Sequence, residues 1–198
     1  MLMRKGRLEA FSDGVLAIII TIMVLELKVP HTDDIASLKP LLPVFMSYVL
    51  SFVYIGIYWN NHHHMMQLVE HVNGKVLWLN MHLLFWLSLV PFASGWMGEN
   101  SFTTGPVALY GVMLFMAGVA YYFLSQSLVQ QHGKNSPLAQ AVGKDKKGKL
   151  SVVIYFIAIV IAFVYPKISL ALYTFVAGIW FIPDQRIEKK IVVEEGKE

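Results

Sequence analysis

The chain has 198 residues, 56% of them hydrophobic, and a mean hydropathy of +0.55. Its charges are few, 16 Lys and Arg against 13 Asp and Glu, and they cluster between long apolar runs. This excludes an ordinary soluble domain and marks an all-α integral membrane protein. Cysteine is absent, which excludes disulfides and thiolate metal sites, and the sequence pI near 9.0 reflects loop lysines, with no nucleic-acid partner expected.

Six apolar segments follow in order, at roughly 8–27, 40–68, 76–97, 106–129, 150–165 and 167–183. A span needs about 20 residues at about 1.5 Å each. The first, third and fourth meet that, and the second is longer than needed. The last two are short and separated by Tyr165, Pro166 and Lys167, and they read as a tight helical hairpin because proline breaks a continuous helix. The start of the chain is not expected to be a cleaved signal peptide, since Glu26 and Lys28 stand where a small-residue cleavage site would be. Residues 1–183 read as one transmembrane domain. The segment 130–149 reads as a basic linker attracted to anionic lipid, and 184–198 as a short cytoplasmic tail, helical or disordered. No internal repeat is evident.

With six spans both termini share a side. That side carries 13 of the 16 Lys and Arg, and the other carries Lys28, Lys39 and Lys167. The bias puts both termini in the cytoplasm of a multi-pass protein of the cell membrane.

The first helix has two faces. At 100° per residue, Phe11, Gly14, Val15, Ile18, Thr21, Ile22 and Leu25 fall within roughly 60° of one another's mean direction, while Ser12 and Asp13 point elsewhere. Spacing alone fits lipid contact, helix packing or a water-filled path. Asp13 is costly within a span and needs a partner, whether it serves function or complements the helix start. Partners at the same depth are Trp59, Asn60, Asn61, His62, His63 and His64 on the second helix, with Asn80 and His82 on the third. A polar layer joining the three helices is expected, since buried polar groups must be paired. Three consecutive histidines diverge by 100° each and lack the i, i+4 spacing of a helical metal site. A site between subunits, or one near His31, Asp33 and Asp34, stays open.

Arg7, Phe11, Ser12 and Asp13 form R-x-x-x-F-S-D at the start of the first helix, Trp59 and His62 form W-x-x-H on the second, and Asn80 with Pro91 and Phe92 follows on the third. With six spans in under 200 residues, the chain resembles the transmembrane protein 175 family of potassium channels in its prokaryotic form. The resemblance implies a homotetramer of six-helix subunits whose first helices line a central pore. It implies an anchoring network of Arg7, Phe11, Ser12, Asp13, Trp59, His62 and Asn80, although the wheel puts Phe11 on the pore side or at a subunit contact. It implies a constriction of Ile18, Ile22 and Leu25, with Thr21 as a pore-lining hydroxyl. Potassium and other monovalent cations would permeate, membrane lipid would be the surround, and no cofactor, metal or enzymatic activity is expected.

The residues agree on geometry with that implication. There is no T-V-G-Y-G segment for a carbonyl filter, so an apolar constriction is left to gate by dewetting or by demanding dehydration. Two other classes compete. A proton-coupled secondary cation transporter is disfavoured by the lack of inverted repeats and broken midplane helices. A membrane redox or metal enzyme would have to use the histidines.

Overall fold

The structure, a computed structural model, describes residues 3–133, 135–142 and 145–181. A two-residue strand β1 (Met3–Arg4) leads into α1 (Gly6–Leu25). A 3-10 turn (Ile35–Leu41) opens directly into α2 (Leu42–Gln67), with Asp34 accepting the Ala36 N–H at 2.9 Å and Pro43 in the first turn of α2. Strand β2 (His71–Val72) pairs antiparallel with β1, Met3 opposite Val72 and Arg4 opposite His71. Then come α3 (Gly74–Ser88), α4 (Val90–Glu99) and α5 (Thr104–His132). After α6 (Pro137–Val142), α7 (Lys146–Ala162) and α8 (Pro166–Phe181) complete the bundle.

Four of these runs are long and apolar enough to cross a membrane: Gly6–Leu25, Ile35–Gln67, Gly74–Glu99 and Thr104–His132. The third differs from expectation. It is broken at Leu89, because Pro91 has no N–H for the Leu87 carbonyl, and Leu89 bonds three residues back to Trp86 at 3.3 Å. The segment 130–149 differs too, since α5 continues to His132 and α6 interrupts the expected linker. α7 and α8 have 17 and 16 residues, about 25 Å of rise each against a hydrocarbon core of about 30 Å. They form the expected hairpin around Pro166, stitched by Ser169 Oγ, which donates to the Ala158 carbonyl at 2.7 Å. The tail at 184–198 lies outside the described residues.

The helices pack closely where small residues allow it, as helix contacts in membranes require. A Cβ on Gly98 would lie 2.6 Å from Val44 Cα, so α4 crosses α2 backbone to backbone. The core holds hydroxyls as well as aliphatics. Tyr54 donates to the Tyr173 carbonyl at 2.6 Å, and Ser51 donates to Ser94 at 2.9 Å, each tying α2 to a distant helix. α1 packs against α2, α3 and α4, while α7 packs against α5 and α8 on the opposite flank.

Candidate functional site

α1 is anchored along one line. Leu8, Ser12, Leu16, Ile19 and Met23, spaced four, four, three and four residues apart, are its buried positions. This spacing keeps them on a single face. The opposite arc is bare in the single chain: Phe11, Ile18, Ile22 and Leu25 are 52%, 58%, 43% and 79% exposed. Thr21 is exposed on the same arc, and its hydroxyl donates to the Ile18 carbonyl at 2.9 Å. Val15, expected on this stripe, is half-buried, while Ala10, Ala17 and Val24 widen the bare arc on its other side.

The buried face carries a directional hydrogen-bond chain. Ser12 donates to the Leu8 carbonyl at 2.8 Å, and Asn80 Nδ2 donates to Ser12 Oγ at 2.9 Å. The Asn80 carbonyl oxygen lies 2.8 Å from His62 Nε2. Since Asn80 spends its amide N–H on Ser12, its oxygen accepts, and His62 must donate from Nε2. His62 Nδ1 then has no hydrogen-bond partner among the described residues. All three side chains are at most 2% exposed. A buried serine, asparagine and histidine from α1, α3 and α2 thus satisfy one another, and each is costly to bury alone.

Further contacts lie at the edge. Trp59 donates its indole N–H to Asp13 Oδ1 at 3.1 Å and stacks on His63, with ring centroids 5.7 Å apart. His63 Nδ1 stands 3.6 Å from Glu9 Oε1. Lys5 Nζ donates to the Met66 carbonyl and, at 3.3 Å, to that of Gln67, closing the end of α2. At the other end of α1, Lys28 and Glu99 pair at 2.7 Å, and the carboxylate raises the Lys28 ammonium above its usual value.

Of the residues expected in the anchoring network, the structure joins Ser12, His62 and Asn80 in one hydrogen-bond chain and pairs Asp13 with Trp59 in a separate bond. Arg7 and Phe11 are not part of it. Both sit on the bare arc of α1, two turns and one turn before Gly14, and neither side chain has a hydrogen bond or ion pair with another described residue. The helical wheel explains this: position 11 is seven residues before Ile18, two turns along the same face. Asn61 and His82 also fall outside. Asn61 donates to the Ile57 carbonyl at 2.8 Å, and His82 accepts from Trp86 at 2.9 Å on its own helix. Sequence reasoning missed Lys5 and Glu9, and it placed His63 in the polar layer without its contacts to Trp59 and Glu9. The four-residue spacing of Trp59 and His63 and the first-turn position of Glu9 were the available signals.

Comparison with known proteins places this geometry. The family profile described as "Endosomal/lysosomal potassium channel TMEM175" matches residues 7–91. A potassium channel of Chryseobacterium sp. (strain P1-3) is 54% identical over 189 residues, 96% of this chain and 98% of its own length. The crystal structure of a lysosomal potassium-selective channel TMEM175 homolog from Chamaesiphon minutus superposes with a TM-score of 0.79 at 26% identity, covering 91% of this chain and 97% of that one. The endosomal/lysosomal proton channel TMEM175 of Danio rerio is 26% identical over 136 residues, 66% of this chain and 25% of its own length. The profile match spans α1 to the break before α4, the region that carries both faces of α1 and the network that sets them. The chain is a multi-pass membrane protein of the TMEM175 family.

Proposed function

We propose that the chain is a potassium-permeable cation channel in which four copies surround a central axis, each contributing the bare arc of α1. The observation that carries the reading is the exposure of Ile18, Ile22 and Leu25 opposite a buried, hydrogen-bonded polar anchor. An aliphatic row left bare on a helix that is otherwise packed invites copies of itself across an axis. Rings of Ile18, Ile22 and Leu25 then form a dry constriction, which passes ions that shed water readily. Potassium loses its shell more easily than sodium, and the exposed Thr21 hydroxyl adds an oxygen ligand between the rings. Ala10, Ala17 and Val24 border the row and suit the contact with the next copy, since small residues let helices approach. α7 and α8 serve as the fifth and sixth spans, with both termini in the cytoplasm. The name borne by the 54% identical relative supports the permeant ion.

The test is reconstitution in liposomes with potassium or sodium gradients. Potassium flux that grows without saturation, and Ile18→Asn or Ile22→Ala raising conductance or lowering selectivity, would support the channel. Unchanged flux and selectivity in both variants would overturn the constriction. Mass measurement of the purified assembly should return four copies. A second reading, proton permeation or proton-coupled cation transport, has support in the name of the Danio rerio relative. Potassium movement strictly dependent on an opposing pH gradient would select it.

A further inference from the structure

We propose that the chain holds one anionic phospholipid of the surrounding membrane in a cavity between α2, α5 and α7. The cavity has a volume of about 370 Å³, within the range of about 300–1,000 Å³ typical of built ligand sites. Its walls are largely apolar, with Val119 and Gly118 from α5 facing Val152 from α7.

Among the polar groups that interrupt the apolar lining, two matter here. Tyr58 is only 8% exposed, lines the cavity, and its hydroxyl donates to no described residue. That hydroxyl lies 3.8 Å from where a Cβ on Gly118 would stand, so the missing side chain at 118 leaves the space in front of it. Lys149 lines the rim, is exposed, and has no acidic partner among the described residues. Asp145, also at the rim, has its carboxylate turned to the N-terminus of α7, accepting the Gly148 N–H at 2.9 Å. The lining thus offers an apolar slot, a buried hydroxyl donor and a cation. These match in order an acyl chain, an ester carbonyl and a phosphate.

The flank argues for lipid as the occupant. α7 exposes Val153, Phe156 and Val160 beside the cavity, each more than half bare. On the reading that α1 faces the central axis, this side of the subunit faces the bilayer, so the cavity opens where lipid is the solvent. The inference rests on that placement of α1. Trp180, in the wall, donates to Ser151 at 2.8 Å and lies under Lys147 at 5.9 Å, an arrangement that suits the headgroup level.

The experiment uses the purified full chain in nanodiscs of phosphatidylcholine with a minority of phosphatidylglycerol, re-extracted and weighed by native mass spectrometry. Wild type should retain phosphatidylglycerol in preference to phosphatidylcholine. Lys149→Gln should lower that preference about fivefold, the effect of one lysine near an anionic headgroup. Tyr58→Phe should lower retention about threefold, the effect of one ordinary hydrogen bond. Val119→Phe, which fills the slot, should abolish it. Equal retention of the two lipids by wild type, or unchanged preference in Lys149→Gln, overturns the proposal. So does unchanged retention in Tyr58→Phe, a conservative change that decides the matter if Val119→Phe does not fold. Retention of a free fatty acid in place of phospholipid also overturns it. Potassium flux on the same samples reports the channel reading separately, so the two can fail independently.

Discussion

Replacing Asn80 by leucine tests the anchor at its middle link. Asn80 makes two hydrogen bonds with opposite roles, donating to Ser12 at 2.9 Å and accepting from His62 at 2.8 Å. Leucine fills similar volume and removes both. Ser12 keeps its own bond to the Leu8 carbonyl, so only the His62 Nε2–H is stranded in a side chain 2% exposed. The loss of two net bonds at the membrane average of about 0.6 kcal/mol each, plus about 1–2 kcal/mol for the stranded donor, gives about 2–3 kcal/mol. At roughly 2–4 °C per kcal/mol for a chain of this size, the melting temperature should fall by about 4–12 °C. The assay is a thermal ramp of the purified protein in detergent, read by size-exclusion fluorescence. Asn80→Asp separates the two bonds, since it keeps an acceptor for His62 and loses the donor to Ser12. Ser12→Ala combined with Asn80→Leu closes the cycle, and the pair should cost less than the sum of the singles. A leucine variant that melts with wild type would refute the network as the support of α1.

Further outcomes follow from the same geometry. Asp13→Ala frees Trp59 at the edge and should reduce assembly yield more than ion selectivity; a stable assembly with altered selectivity would put the carboxylate in the ion path. Gly98→Ala forces a Cβ to within 2.6 Å of the Val44 backbone, so overpacking should cost about 1–3 kcal/mol in the same melting assay. Lys28→Ala should leave melting unchanged, since the pair with Glu99 is 78% and 50% exposed. Because Glu99 raises Lys28 above 10.5, any stabilisation from the pair is complete below that value and is lost only as pH rises beyond it. Titration through neutral pH should therefore show no transition from this pair.

The two faces of α1 were legible from periodicity because the helix is straight and its buried positions repeat at three and four. Ser12, His62 and Asn80 were legible because a polar group at the same depth on each of three helices has few ways to be satisfied. The motif groups Arg7 and Phe11 with that network, whereas the wheel sets them on the bare arc. The break at Leu89 was written in Pro91, yet continuous apolar character across 76–97 concealed it, since hydropathy does not register a missing N–H. The cavity beside Tyr58 left no mark in the sequence. It arises where Gly118 of α5 faces Val152 of α7, a juxtaposition set by tertiary packing.

The anchor matters to the bare row because of leverage. A side chain on α1 sits about 5–6 Å from the helix axis, so a rotation of about 20° moves the Ile18 tip by about 2 Å. In the proposed tetramer that is enough to turn a closed aliphatic ring into a wider one, or to replace Ile18 by its neighbour at the axis. Apolar packing resists such rotation weakly, since Leu16 and Ile19 can slide against similar surfaces at little cost. Hydrogen bonds are directional, and the Ser12–Asn80–His62 chain admits one rotational setting. Lys5, bonded to the end of α2, adds restraint at the N-terminus of the helix. Polar groups are costly to bury in a membrane, and in the proposed pore this cost falls where it fixes the angular position of the aliphatic row. A variant that weakens the anchor without unfolding the subunit, such as Asn80→Asp, should therefore broaden single-channel conductance levels before it lowers their mean. A uniform conductance in that variant would mean that packing alone sets the angle of α1.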